Sequence, residues 1–298
     1  MPLFLKILQV QPIFLPMPSH FKRLLLLYFW ISSALGSGTQ FLSIPASAYD
    51  LIYFHSPWRN PAALNHLDRV PELSFAYGKW LAGTKAASLK WRGQIGKSRS
   101  GGLDIRYIGL DDIELRPNKP TSQPLGYYAS YGFSARGVVS LERGNHQFGI
   151  AIQSISLQIY QESSSGLALD LGWGWSLRPH LKFTVSALNL GKMNALKELE
   201  PQLPQRIISG ILWEKESYRA YVGMESNSLV NDSILYIGGN GQYKNLIYGG
   251  TFMHTDGMKS LSSGVGFQFG IYSIRYGMQW GDHHLGMPQI IDISIRLP

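Results

Sequence analysis

The chain has 298 residues, of which 45% are hydrophobic and 15% charged, and it carries a formal net charge of +8 with no cysteine. That length admits one large domain or two small ones. The missing thiols exclude a disulfide scaffold and any thiolate metal site, and they suit an envelope compartment where stray thiols oxidise.

The first element with an address is Phe21-Lys22-Arg23, followed by an apolar run from Leu24 to Ile31 and small residues from Ser32 to Gly38. A basic n-region, an apolar core of about ten residues and a small-residue cut site predict a secretory signal peptide, too short to span a membrane. Cleavage is expected near Gly36, with Ala34 and Gly36 at the small positions, so residues 1–36 form the leader. The residues before Met17 carry prolines and a second hydrophobic patch, which places the expected translation start at Met17. The leader holds Lys6, Lys22 and Arg23 and no acid, so its loss leaves +5, too diffuse a charge to point to nucleic acid. Residues 37–71 follow as a small, irregular, plug-like segment. Within it Asn60 and Pro61 have the form of a helix N-cap with proline at the first helical position.

From about residue 72 to 298 the chain reads as consecutive strands, and most plainly in its last third short segments have every second residue large and apolar with Gly, Ser or charged residues between. Val265, Phe267, Phe269 and Ile271 alternate with Gly264, Gly266, Gln268 and Gly270; Leu167, Leu169, Leu171, Trp173 and Trp175 alternate with Ala168, Asp170, Gly172 and Gly174. Successive strand side chains point to opposite faces, so each segment has one greasy and one polar face. Fourteen strands are predicted, near 72–81, 84–93, 101–110, 126–140, 146–158, 166–177, 180–190, 205–214, 217–226, 232–241, 244–254, 260–269, 271–281 and 288–297. The count is even and the lengths suit tilted strands crossing a bilayer. With 32 Gly, 16 Tyr and 8 Trp, an all-β transmembrane antiparallel barrel with the greasy face to lipid is the expected fold. A soluble secreted sandwich would instead pack those aromatics against a second sheet.

Tight joins are expected after the fourth, sixth, eighth, tenth and twelfth strands, and longer polar ones after the third, seventh and thirteenth, notably Asp111 to Leu125 and Gly191 to Pro204. Outer-membrane barrels keep short turns on the periplasmic side, so both termini are expected there. A join at Ala82-Gly83 and a long one from Gln94 to Ser100 break the alternation and leave the phase of the first two strands open. On the polar phase lie Lys90, Arg92, Asp104, Arg106, Asp170, Arg275, Asp292 and Arg296, the candidate lumen-lining residues. Their alternating sign favours pairing over an ion-selective ring.

Enzymatic readings find little support. Asp111-Asp112 and Asp282-His283 have the residue types of outer-membrane protease pairs, but neighbours on a strand face opposite ways. No His-x-Ser arrangement serves a phospholipase, and the adjacent His283 and His284 are poorly spaced for one metal ion. Gly96-Lys97-Ser98 lacks the earlier glycine of a phosphate loop, and Gly238-Gly239-Asn240-Gly241 reads as a turn ending a strand. No catalytic residue, metal or cofactor is expected.

Several segments together resemble a known family. Phe41-Leu42-Ser43-Ile44-Pro45 precedes Asn60-Pro61-Ala62; Ser165 to Gly172, Ser186-Ala187-Leu188-Asn189-Leu190-Gly191-Lys192-Met193, and a closing Leu285-Gly286 with Ile291 to Leu297 follow. In order and spacing these resemble the PorV/PorQ family of outer-membrane proteins over essentially the whole mature chain. The resemblance implies a FadL-like barrel of about 14 strands with a small N-terminal segment in the lumen, with Asn60, Pro61, Ala62, Asn189 and Gly191 at motif positions. It implies a component of type IX protein secretion and surface attachment, whose partners would be outer-membrane lipid, secretion-system subunits and exported cargo. FadL relatives suggest the alternative, a channel for a hydrophobic solute. The chain departs from the family between Pro45 and Asn60, where Tyr49, Tyr53, Phe54 and Trp58 occupy a shortened segment.

Overall fold

The computed structural model describes residues 38–66, 70–116, 123–281 and 286–297. The expected leader, the start at Met17, and Asp282, His283, His284 and Leu285 lie outside them. All fourteen predicted strands are present: β1 (Glu72–Lys79), β2 (Lys85–Gly96), β3 (Arg99–Leu115), β4 (Gly126–Arg143), β5 (His146–Ile159), β6 (Glu162–Arg178), β7 (Leu181–Met193), β8 (Arg206–Lys215), β9 (Tyr218–Asn227), β10 (Ile234–Tyr243), β11 (Leu246–Thr255), β12 (Met258–Phe269), β13 (Tyr272–Gly281) and β14 (Gln289–Arg296). Each pairs antiparallel with the next, and β1 closes on β14, from Glu72 opposite Arg296 to Lys79 opposite Gln289. A closed barrel leaves no edge strand with unpaired peptide groups, which is what a hydrocarbon solvent demands.

The two faces sort as the alternation requires. Phe75 is 53% exposed and its neighbour Ala76 2%; Leu167, Trp175, Phe267 and Ile293 point outward, while Ser134, Arg136, Thr184 and Ser262 are buried inside. On β2 Leu89 and Trp91 face out and Ser88 is buried, which fixes the phase of the first two strands. The result is a transmembrane barrel with a polar interior.

The joins differ from expectation at one place and sharpen it elsewhere. No long join runs from Gln94 to Ser100. Instead β2 and β3 extend towards each other past a register shift at Gln94/Gly96, and only Lys97 and Ser98 remain between them. The amide of Gln94 donates to the carbonyls of Gly96 (2.7 Å) and Lys97 (3.2 Å), which closes that turn locally. All six joins after even-numbered strands are thus two residues long, and the start of β1 and the end of β14 share their side of the barrel, here called the turn end. The opposite, loop end carries joins of varied length. The Gly238–Gly241 run is not a turn but the middle of β10, the turn being at Lys244-Asn245. A side chain at Gly238 would strike the Tyr221 hydroxyl and the Gly250 carbonyl, so glycine there reflects close packing rather than reversal. Asp111 and Asp112 lie within β3 at a bulge between Leu110 and Ile113, where Asp111 pairs with Lys85 at 2.6 Å. The two carboxylates do not converge.

Candidate functional site

Residues 38–66 run inside the barrel. Ala46, Ala48, Ile52, Ser56, Ala62 and Ala63 are wholly buried. The segment contains a 3-10 helix (Thr39–Ser43), a short helix α1 (Ala48–Ile52) and a second 3-10 helix (Pro61–His66). Helix α1 packs on β11 to β14, and Pro61–His66 packs on β3 to β6, so the segment is held by two different walls.

Helix α1 starts where the sequence provides caps. The Ser47 hydroxyl accepts from the Asp50 peptide N–H (3.2 Å) and donates to the Asp50 carboxylate (2.7 Å). Two further peptide N–H groups of the first turn, at Ala48 and Tyr49, donate to the Asp292 carboxylate of β14, both at 2.7 Å. The barrel wall therefore supplies the anion that a helix N-terminus attracts. Lys90 of β2 forms an ion pair with Asp50 and donates to Ser47 Oγ at 2.9 Å. Arg92 pairs with Glu72 at 2.8 Å, and the guanidinium groups of Arg92 and Arg275 lie 5.3 and 5.4 Å from the Tyr49 ring centroid.

Burial drives the Asp50 carboxyl up, but the charge of Lys90 and the hydrogen bonds from Lys90 and Ser47 outweigh it and hold the group below its ordinary 3.8. A carboxyl depressed by folding stabilises the fold fully above its unfolded value and loses that contribution as pH falls through the folded one. The Asp50 contribution is accordingly expected to show as a change in Trp58 fluorescence in acid below about pH 4, a transition that should be blunted in Asp50→Asn.

Trp58 forms a second anchor. Its indole N–H donates to the Leu42 carbonyl at 3.3 Å, and the guanidinium groups of Arg59, Arg106 and Arg206 lie 4.8, 5.4 and 4.6 Å from its ring centroid. Arg106 donates to the carbonyls of Ile44 and Leu42, and Arg59 to those of Asp50 (2.7 Å) and Tyr53 (3.2 Å). Arg206 meets Glu225 in a two-point pair of 2.7 and 2.9 Å, with the Tyr236 hydroxyl donating to the same carboxylate at 3.0 Å. Arg136 pairs with Asp170 at 2.6 Å and donates to the Pro57 carbonyl at 3.0 Å.

The motif positions Asn60, Pro61 and Ala62 form the third anchor. Asn60 Oδ1 accepts from the Ala62 N–H at 2.9 Å, capping the helix that Pro61 begins, and Asn60 Nδ2 donates to the carbonyls of Trp173 (3.2 Å) and Val185 (3.3 Å). Asn189 occupies the left-handed region with φ 58° at a bulge of β7 against β6. Its N–H donates to Asp170 at 2.7 Å and its side chain to the Pro204 carbonyl at 2.8 Å. Gly191 lies where a side chain would strike the Leu167 carbonyl.

Of the candidate lumen residues, Lys90, Arg92, Arg106, Arg275 and Asp292 touch the inner segment, while Asp170 reaches it through Arg136. Asp104 is buried opposite Lys90 and Arg136 in register, and Arg296 is half-buried near the turn end, opposite Glu72. Sequence reading missed Arg59, Glu72, Arg136, Arg206 and Glu225. The last four lie on the polar phase of their strands, the signal that would have found them.

Two cavities flank the segment. One of about 50 Å³ lies towards the turn end and is walled by charged groups, among them Asp50, Glu72, Lys90, Arg92 and Asp104. The other, of about 160 Å³, lies towards the loop end beside Ile44, Leu51, Trp58, Trp80, Met253 and Met258, with Ser43, Arg59, Tyr236, Thr251, Ser262 and Gln279 as the polar part of its lining. Apolar surface makes up most of its wall.

No protein-family model matches this chain, and no curated protein matches it in sequence. Among solved structures it is similar to the toluene transporter TodX of Pseudomonas putida, with a TM-score of 0.59 and 9% identity over 79% of this chain and 91% of that one. It is also similar to a FadL homologue of Pseudomonas aeruginosa, with a TM-score of 0.55 and 12% identity over 89% and 98% of the two chains. The shared property is the fold, a FadL-like fourteen-stranded barrel.

Proposed function

We propose that the protein is a non-enzymatic outer-membrane barrel that takes up a small hydrophobic molecule, and that the loop-end cavity receives it. The observation that carries this reading is the apolar wall of that cavity, about 160 Å³ in volume, close to the size of an apolar hole that accepts a single benzene ring. The toluene transporter among the similar structures is consistent with a solute of that size. The turn end, with its six two-residue joins and both ends of the barrel chain, is assigned to the periplasm. The loop end then faces outside, where such a solute arrives.

A second reading, the PorV/PorQ-type secretion component, draws on a different observation. Two ion pairs inside the barrel, Arg136 with Asp170 and Arg206 with Glu225, are buried, and a barrel that works by holding partner proteins has no need of an open bore. Titration of the purified full chain with toluene separates the two. A saturable, single-site change in tryptophan emission is expected, reported by Trp58 and Trp80, and Met253→Glu should weaken it about tenfold, since an unpaired carboxylate in an apolar pocket is strongly disfavoured. Absence of saturable binding, with stoichiometric co-purification of envelope proteins in mild detergent, transfers the assignment to secretion.

A further inference from the structure

The most voluminous of the described cavities is outside the barrel. At the turn end a cleft of about 490 Å³ opens between the β2–β3 turn and the end of β4, lined by Ile95, Lys97, Arg99, Leu141, Glu142 and Arg143. Lys97, Arg99 and Arg143 are exposed, and among the described residues no acid pairs with any of them. Arg143 shares the outward phase of Val139 and Leu141, and Arg99 stands opposite Leu141 in register, so both arginines leave the wall on the lipid side. Glu142, the one acid in the lining, is on the lumen phase of β4, opposite the buried Gln147. Ile95 is 54% and Leu141 38% exposed, and they supply an apolar floor on the membrane-core side of the cations.

We infer that this cleft binds one anionic glycerophospholipid, its phosphate against Lys97, Arg99 and Arg143 and the upper part of an acyl chain along Ile95 and Leu141. Three cations without acid partners attract an anionic headgroup at a membrane surface, and the guanidinium groups offer forked donors that match phosphate oxygens. The apolar floor decides between lipid and a free anion, because a soluble phosphate gains nothing from Ile95 and Leu141. The same rim carries exposed Arg178 and Lys215, at the ends of β6 and β8, and Lys244, in the β10–β11 turn. None of these three lines the cleft, which makes them an internal control of equal charge.

The test uses the full chain reconstituted into vesicles of phosphatidylcholine and phosphatidylglycerol in equal amounts, extracted in mild detergent, with retained lipid weighed by native mass spectrometry. One phosphatidylglycerol per barrel is expected, favoured over phosphatidylcholine by about tenfold at low salt and less as salt is raised. Lys97→Gln/Arg99→Gln/Arg143→Gln should abolish the preference, and Arg178→Gln/Lys215→Gln/Lys244→Gln should keep it. If the first triple variant fails to insert, Arg99→Gln alone should lower the preference severalfold. Equal retention of the two lipids, or equal loss in both triple variants, overturns the site. Displacement of the lipid by millimolar inorganic phosphate overturns it as well, reassigning the cleft to a free anion.

Discussion

Arg206→Met is expected to destabilise the folded barrel by about 3–5 kcal/mol, the cost of leaving a buried charge without its partner, measured as a lowered urea midpoint in detergent or lipid vesicles. Both side chains of the Arg206–Glu225 pair are 2% exposed, and their two contacts of 2.7 and 2.9 Å saturate the facing edges of guanidinium and carboxylate. Removing the cation leaves Glu225 with one donor, the Tyr236 hydroxyl. Arg206→Met/Glu225→Leu should recover most of the loss, because two apolar groups of similar volume leave no lone charge. The residual deficit, on the order of 1 kcal/mol, is the Tyr236 hydroxyl deprived of its acceptor. A single-variant loss below about 1 kcal/mol would mean that water reaches Glu225 and that the lumen is wetter than its packing implies.

The barrel itself was largely legible in the sequence because strand alternation is a local signal, and each outward Leu, Phe or Trp repeats it. Val265, Phe267 and Phe269 need no knowledge of their neighbours to be placed on the lipid face. The legible part failed where local geometry departs from strict alternation. At Gln94/Gly96 a register shift lets β2 run on to a two-residue turn where the sequence predicts a long join; the bulge at Leu188-Asn189, where two consecutive residues are buried, is a second departure, at positions for which the alternation assigns no face. A bulge adds one residue and inverts every inference beyond it.

The contents of the lumen were only half legible. Inward charges such as Asp170, Arg275 and Asp292 could be assigned to a face, but their partners could not, since Asp292 caps a helix 244 residues upstream and Arg136 reaches Asp170 across the β4–β6 wall. Which cation meets which anion is set by strand register and by the path of the inner segment, and neither is encoded locally. The aromatic residues that fill the shortened segment after Pro45 have the same character. Phe54 stacks on Tyr221 with ring centroids 5.1 Å apart, and there is room for it only because Gly210 and Gly223 present no side chain. Glycines that sequence composition explains as relief of crowding are, at these positions, the imprint of the segment on the wall.

That imprint yields the second large effect. Gly172→Val is expected to expel the Asn60–Ala62 turn from its seat while leaving the barrel closed. A Cβ at Gly172 would overlap Asn60 Oδ1 and lie 2.8 Å from Pro61 Cδ, and one at Gly149 would overlap the Pro61–Ala62 peptide. Asn60 Oδ1 ends a side chain, but Pro61 Cδ and the Ala62 peptide nitrogen, 2.9 Å from a Cβ at Gly172, belong to the turn itself, so the contact is relieved by moving the turn. Displacement removes the Asn60 bonds to Trp173 and Val185 and the cap on the following helix. Overpacking alone costs about 1–3 kcal/mol, and the lost cap adds about 1 kcal/mol. The strand ladder between β5 and β6 does not depend on the turn, so heat-modifiable migration of the barrel should persist while residues 53–62 become cleavable by protease. Gly137→Val is the control, on the outward phase of β4 with open space where its side chain would stand, and it should leave the segment protected. Equal protection in Gly172→Val and Gly137→Val would mean that the wall yields instead of the turn, and that the segment is the more rigid of the two.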